Sequence, residues 1–166
     1  MKLSLIQPFI SAVDAVLSET LQCPVAIGDL SMEDDAYRKK GVAAMIAIKG
    51  AIEGRVILDM EARAAAQVAT CLAGEDITLD DQVMRETVSE LANMVIGNAV
   101  TILNDRGSTF KVFPPELISE EQLVCATADT EATVLSFQTE HGNVYMNIAL
   151  HYNRRRQRER AVVAVS

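Results

Sequence analysis

The same order of hydrophobic patterns occurs twice in this chain, and this repeat constrains the fold more than any single motif. In each half, a helical stripe is followed by an extended segment and then by two apolar runs that a turn separates. Aligning Leu17 with Leu103 also sets Gln7 against Asn93. Because the strands of a hairpin are antiparallel, the sequence predicts an α+β fold of pseudo-repeated helix–strand–hairpin units, with two long helices packed on one face of a largely antiparallel sheet.

Periodicity and turn residues predict the elements of both halves. Apolar residues at steps of three and four predict helices, whereas apolar runs bounded by glycines predict strands. In the first half, these are a helix over 6–21, an extended segment over 25–27, a polar loop over 29–41, a hairpin of 42–49 with 52–60, and a short helix over 61–72. In the second half, they are a helix over 78–104, an extended segment over 110–113, an edge strand over 124–128, and a hairpin of 132–138 with 144–150.

The long helix of the second half carries the most informative pattern. Thr78, with Asp81 three residues later, resembles a capping box and so predicts where this helix begins. At about 100° per residue, its apolar positions share one face, which we expect to pack on the sheet. These positions are Met84, Val88, Leu91, Val95, Ala99 and Ile102. The opposite face carries what we call the outward line, namely Glu86, Glu90, Asn93 and Gly97.

The outward line has two interpretations. Acidic residues on a helix are most often a solvated charged face. Asn and Gly, however, are poor residues for a helix interior, and their alignment with two acids calls for a functional reason. We expect Met94, Ile96 and Val100 to flank the line as apolar groups, as a docking surface would require, and Gly97 to let a partner's backbone come close.

The segment from Ser89 to Ala99 resembles the signature of the CheX chemotaxis phosphatases, within the CheC/CheX/FliY superfamily. The family pattern is a Glu, an Asn three residues later and a proline roughly twenty residues beyond, and the resemblance extends over about residues 1–151. This chain has Glu86 where the family commonly has Asp or Ser, and Pro114 or Pro115 comes one or two positions early. Since Ser4 and Gln7 lack the pair, the chain resembles CheX, with one site, rather than CheC, with two.

The resemblance implies a phosphatase that hydrolyses the aspartyl phosphate of a phosphorylated CheY-like response regulator. Glu90 and Asn93 would then be the catalytic residues, with Asn93 orienting the attacking water and Glu90 fixing the docking register. Glu86, Met94, Gly97 and Pro114 would contact the partner. No cofactor of its own is implied, because the Mg²⁺ belongs to the response regulator. A non-catalytic adaptor or scaffold that binds the regulator is the alternative.

The resemblance also implies a homodimer formed through the sheets, to which the apolar strand from Val42 to Ile48 is expected to contribute. We expect one CheX-like phosphatase domain over residues 1–153. Residues 154–166 carry five arginines and are predicted to be a flexible, solvated tail, with contact to an anionic partner as the alternative.

Composition excludes several other classes of protein. A net charge of −8 and only 4% aromatic residues argue against nucleic-acid binding. No apolar stretch approaches the ~20 residues of a membrane span. Three widely separated cysteines, Cys23, Cys71 and Cys125, are predicted to be core residues in a reducing cytoplasm. His141 and His151 are expected at the surface, and no metal site is predicted.

Overall fold

A computed structural model describes residues 3–33, 37–74, 79–105, 107, 109–120 and 131–153 of the chain. Within these ranges, the helices are α1 (Leu3–Leu21), α2 (Ala62–Ala73) and α3 (Asp81–Asp105). The strands are β1 (Ala26–Glu33), β2 (Val42–Gly50), β3 (Ile52–Met60), β4 (Phe110–Val112), β5 (Glu116–Leu117), β6 (Ala132–Thr139) and β7 (Gly142–Tyr152). Within the described ranges, the predicted order of helices, extended segments and hairpins is confirmed, and the short strand β5 is an element that was not predicted.

The strands form one sheet in the order β1-β6-β7-β3-β2-β4, and β5 also pairs with β2. Every recorded strand pair among the described residues is antiparallel. The two halves of the chain occupy equivalent places in this order. Strand β1 of the first half pairs with the second hairpin, β6–β7, and strand β4 of the second half pairs with the first hairpin, β2–β3. The centre of the sheet is the β3–β7 pair, which runs from Ile52 opposite Tyr152 to Met60 opposite Val144.

The main hydrophobic core lies between the sheet and the helices, which pack on one face as predicted. Alternate residues of β3 point into this core, from Ile52 to Met60. The alignment of Leu17 with Leu103 also matches burial, because both side chains are buried, as are Phe9 and its counterpart Val95. The two long helices therefore present equivalent stripes to the core.

The opposite face of the sheet has a smaller cluster of Tyr37, Ala43, Ile57 and Ile118. Beside this cluster lies the Asp59 carboxylate, whose residue is 0% exposed. It accepts hydrogen bonds from the Tyr37 hydroxyl at 2.6 Å, from the Lys40 backbone N–H at 2.5 Å and from the Gly41 N–H at 3.0 Å. The carboxylate thus holds the chain that leads into β2 against the sheet.

The structure corrects the predicted boundaries of two elements. β1 extends through Glu33 into the segment predicted as a polar loop, because it pairs with the distant strand β6 across an irregularity between Ile27 and Leu30. α3 begins at Asp81 rather than at Thr78. Thr78 itself lies outside the described residues, as does the strand predicted over 124–128.

The position of β2 bears on the predicted dimer. One edge of β2 pairs with β3, and the other pairs with β4 and β5. β2 is therefore not a sheet edge at which a second sheet could be added, and the dimer itself stays a prediction. The predicted tail over 154–166 lies outside the described residues.

The prediction that the cysteines are core residues holds for only one of the two that the structure describes. Cys23 is buried, whereas Cys71 is exposed on α2. Cys71 belongs to the last turn of this short helix, beyond its buried residues Ala64, Ala65, Val68 and Ala69. Cys125 lies outside the described residues. Each helix in the described ranges is either too short or too polar to span a bilayer.

Candidate functional site

Helix α3 carries the candidate site, and its first turn is capped by a residue that the sequence pattern did not indicate. The Asp80 side chain accepts a hydrogen bond from the Val83 N–H at 2.8 Å, which is the geometry of a helix N-cap. The acidic Asp81 follows at the first helical position, where the helix dipole favours negative charge. Asp80, rather than Thr78, therefore fixes where α3 begins.

The packing of α3 determines which side chains face outward. The helix contacts α1 and α2 as well as strands of the sheet. Thr87, Val88, Leu91, Ala92, Val95, Ile96, Ala99 and Leu103 are buried in these contacts. By contrast, Glu86, Glu90, Asn93 and Gly97 are all exposed. The predicted outward line is thus confirmed as one solvent-facing line along α3.

Glu90 and Asn93 are adjacent on the outward line, three residues apart. In the part of the chain that the structure describes, neither side chain makes a hydrogen bond or an ion pair. The fold itself has therefore not used the carboxylate or the carboxamide. Both groups are available to another molecule.

Glu86 is held by a neighbour within the helix. The Gln82 Nε2 donates a hydrogen bond to the Glu86 Oε1 at 2.9 Å, across one helical turn. Gln82 is not among the predicted site residues, although its position four residues before Glu86 could have indicated the contact. This hydrogen bond limits the orientations of the Glu86 carboxylate at the N-terminal end of the line.

Gly97 opens space on the outward line beside Asn93. A Cβ atom at this position would have no heavy atom within 4 Å outside its own stretch of helix. The Thr101 hydroxyl donates to the Gly97 carbonyl at 2.9 Å, a side-chain bond of the kind that often bends helices. No packing contact within the described fold explains why position 97 lacks a side chain.

The predicted apolar flank of the outward line is wrong for Ile96. This side chain is only 5% exposed and belongs to the main core. Met94 and Val100 are half-buried and pack against the same core. The reason is that α3 packs against α1 and α2 as well as against the sheet, so its buried arc is wider than one sheet-facing stripe. Among the flanking residues, Met94 and Val100 offer only part of their apolar surface.

Pro114 lies on a different element from the rest of the candidate site. It is exposed in the link between β4 and β5. The Phe113 N–H, just before it, donates to the Ala47 carbonyl at 3.0 Å and so ties this link to β2. β5, which follows Pro114, contacts α3. The structure thus joins four of the predicted site residues in one line and puts Pro114 outside that line.

The chemistry of the outward line is that of two carboxylates and one carboxamide on a rigid support. A carboxamide can donate and accept hydrogen bonds at the same time, and can therefore orient a water molecule. A carboxylate can pair with a cationic group, but an ordinary one is a weak base at neutral pH. Because the four residues are exposed along one helix, the line suits contact with a protein partner better than enclosure of a small substrate.

Comparison with known proteins finds a family model and several solved structures to which the chain is similar. A family model described as chemotaxis phosphatase CheX matches residues 42–138. The matched range contains the whole outward line and Pro114. No functionally curated protein matches the chain.

Several solved structures share the fold. A CheC-like superfamily protein from Shewanella sp. PV-4 superposes with a TM-score of 0.79 at 24% identity, covering 91% of this chain and 99% of that chain. The chemotaxis protein CheX from Desulfovibrio desulfuricans gives a TM-score of 0.76 at 22% identity, covering 90% of this chain and 99% of that one. A CheX–CheY–BeF3–Mg²⁺ complex from Borrelia burgdorferi gives 0.67 at 28% identity, covering 88% and 97%.

Proposed function

The chain belongs to the chemotaxis phosphatase CheX family, and we propose that it hydrolyses the aspartyl phosphate of a CheY-like response regulator. The substrate is then another protein, in keeping with an exposed line of polar groups rather than a cleft. The Borrelia relative, solved in complex with CheY, BeF3 and Mg²⁺, supports the choice of partner.

In the proposed reaction, the response regulator brings most of the charge stabilisation. Its Mg²⁺ neutralises charge on the transferring phosphoryl group. What the acyl phosphate still needs is a water molecule held in line with the bond that breaks. The Asn93 carboxamide supplies this by donating one hydrogen bond to the water and accepting another, so that the water is oriented before it attacks.

Glu90 has a positioning task in this proposal. Its exposed carboxylate pairs with a lysine in the active site of the regulator, as the family resemblance implies, and so fixes the register of docking. With one turn of helix supporting both residues, the ion pair at Glu90 determines where the Asn93 amide lies relative to the phosphoryl group. Glu86, Met94 and Gly97 extend the contact along α3, and Pro114 contributes from the adjoining link.

One observation carries the proposal: the carboxylate of Glu90 and the carboxamide of Asn93 stand exposed on the same face of a packed helix, with no hydrogen-bond partner among the described residues. An exposed carboxylate alone is ordinary on a helix surface, but an asparagine in a helix interior, disfavoured by propensity and aligned with that carboxylate, calls for a functional reason. Here the helix is anchored by its other face, while these two groups are kept available.

The lifetime of a phosphorylated receiver domain, measured with substoichiometric amounts of this protein, tests the proposal. A CheY-like receiver is phosphorylated with a small-molecule phosphodonor, and released phosphate is followed over time. Wild type is expected to release many equivalents of phosphate per molecule. Asn93→Ala should lose about 2–4 kcal/mol of transition-state stabilisation, by analogy with the loss of one preorganised donor.

Gln7→Ala is the matched control, because Gln7 is an exposed carboxamide at the corresponding position of α1. It should retain full activity. If wild type binds the phosphorylated receiver without shortening its lifetime, the protein is an adaptor and not a phosphatase. Full activity of Asn93→Ala would remove Asn93 from the mechanism.

A further inference from the structure

Three side chains of metal-ligand type meet where the end of α1 approaches the turn between β6 and β7. Cys23, Glu140 and His141 each offer one ligand atom, and these atoms all lie within 4.8 Å of one another. Across the described ranges, no other group of three such residues is found. The cluster lies on elements other than α3, and the proposed phosphatase chemistry does not use it.

The backbone fixes Cys23 at the end of α1. Gln22 adopts a left-handed conformation, with φ of 51°, and its N–H donates to the Ser18 carbonyl at 2.9 Å, which ends the helix. Cys23 follows directly and is 8% exposed. Its thiol is therefore held at the margin of the core, with little freedom to move away from the turn.

The turn that carries the other two residues is equally well fixed. The Thr139 hydroxyl donates to the Gly142 carbonyl at 2.7 Å and accepts from the His141 N–H at 3.1 Å. The His141 Nε2 lies 3.5 Å from the Glu140 Oε1, with side-chain exposures of 32% and 68%. A nitrogen of the imidazole thus lies within 4.8 Å of both the sulfur of a buried thiol and an oxygen of a carboxylate that reaches solvent.

We propose that Cys23, His141 and Glu140 bind a divalent cation of the zinc class. A thiolate, an imidazole and a carboxylate are the ligand types that Zn²⁺ takes, whereas Mg²⁺ and Ca²⁺ prefer oxygen ligands alone. With bonds of about 2.0–2.3 Å, the ligand atoms of a tetrahedral zinc site lie roughly 3.3–3.7 Å apart. The His141–Glu140 pair already has this spacing, and the Cys23 sulfur lies within 4.8 Å of both ligand atoms.

Such a site has three protein ligands and one open coordination position. A water molecule can occupy that position from the solvent side, where Glu140 is exposed. Because the thiol must lose its proton to bind the metal, binding releases protons and grows stronger as pH rises. The ion also cross-links the end of α1 to the second hairpin, so it stabilises the folded protein.

Cobalt substitution tests the site directly. Tag-free, fully reduced, full-length protein is titrated with Co²⁺ and then with Zn²⁺. We expect one equivalent of Co²⁺ to give a thiolate-to-cobalt charge-transfer band, which Zn²⁺ removes by displacement. Cys23→Ser and His141→Gln should both lose the band, and Glu140→Gln should weaken binding. Zn²⁺ should also raise the Tm of wild type and not that of His141→Gln.

The matched controls are Cys71→Ser and His151→Gln, which change an exposed cysteine and a half-exposed histidine outside the cluster. Both should keep the band. Absence of a thiolate band in wild type would overturn the proposal, as would a band that survives His141→Gln or that disappears with Cys71→Ser. His141→Gln keeps the test decisive even if Cys23→Ser does not fold, because His141 lies in a partly exposed turn. Neither the site nor its test depends on the proposed phosphatase activity.

Discussion

Gly97 follows Asn93 by one helical turn on the outward line of α3, and a Cβ atom at Gly97 would have no heavy atom within 4 Å outside its own stretch of helix. Glycine in the interior of a helix costs about 1 kcal/mol relative to alanine. The described fold gains no packing contact in return. In the proposed complex, a partner's backbone would approach closely next to Asn93, which would account for the missing side chain.

Gly97→Ala is therefore expected to separate stability from docking. The free energy of unfolding should rise by about 0.5–1 kcal/mol, because the substitution removes backbone entropy from the unfolded chain. At the same time, the KM for the phosphorylated receiver should rise several-fold, since the methyl group occupies space that the partner needs. Urea unfolding and phosphate release measure the two effects in the same preparation.

Ser11→Ala is the control for Gly97→Ala. Ser11 is exposed on α1 at the position that the alignment of Leu17 with Leu103 sets against Gly97. This substitution also improves helix propensity, but it should leave the KM unchanged. An unchanged KM in Gly97→Ala would show that the partner does not approach this position closely.

Glu90→Gln should mainly weaken docking. The substitution keeps the size of the side chain and removes its charge, so the proposed ion pair with the regulator's lysine is lost. We expect the KM to rise at low ionic strength by more than kcat falls, and the dependence of kcat/KM on salt to become shallower. Stopped-flow measurements of phosphate release over a range of NaCl concentrations give both quantities.

The control for Glu90→Gln is Glu19→Gln, which removes an equivalent exposed charge from α1. Glu19→Gln should change the salt dependence of kcat/KM far less than Glu90→Gln does, because Glu19 lies on another helix. A fall in kcat at unchanged KM would instead assign Glu90 to the chemical step.

The sequence pattern predicted the outward line because a helical period alone determines which residues share a face. Glu90 and Asn93 could be assigned to the exposed side without any knowledge of what covers the other side. Ile96 could not be assigned in this way, since its burial depends on the helices that flank α3. Likewise, β1 extends through a polar segment because β6, which is distant in the sequence, pairs with it.

Local sequence patterns also could not predict that Cys23 lies near His141. The two residues are distant in the sequence, and no ligand spacing links them. Their proximity follows from the sheet order, which determines where the turn between β6 and β7 lies relative to the end of α1. Local patterns therefore predict helix faces and hairpins, whereas contacts between the two halves of the chain need the tertiary structure.

Asp80→Ala should destabilise the protein by about 1 kcal/mol. The Asp80 carboxylate is the N-cap acceptor of α3, and its loss leaves the Val83 N–H without this partner. Asp81→Ala is the matched control, because Asp81 contributes only through the helix dipole, and this effect is smaller at an exposed position. If both substitutions lowered the free energy of unfolding in urea by the same amount, the negative charge of the first turn would account for the effect, and the hydrogen bond from Val83 to Asp80 would not.

Asp59→Ala should lower the free energy of unfolding by about 2–4 kcal/mol, which is more than the effect of Asp80→Ala, because the buried carboxylate accepts three hydrogen bonds. Its removal leaves the N–H groups of Lys40 and Gly41 without that acceptor. Tyr37→Phe removes only one of the three donors and should cost about 0.5–1.5 kcal/mol. Since Asp59 lies on the sheet face opposite α3, kcat/KM for the phosphorylated receiver should stay unchanged below the unfolding transition. A drop in kcat/KM without a loss of stability would mean that the segment leading into β2 contributes to docking.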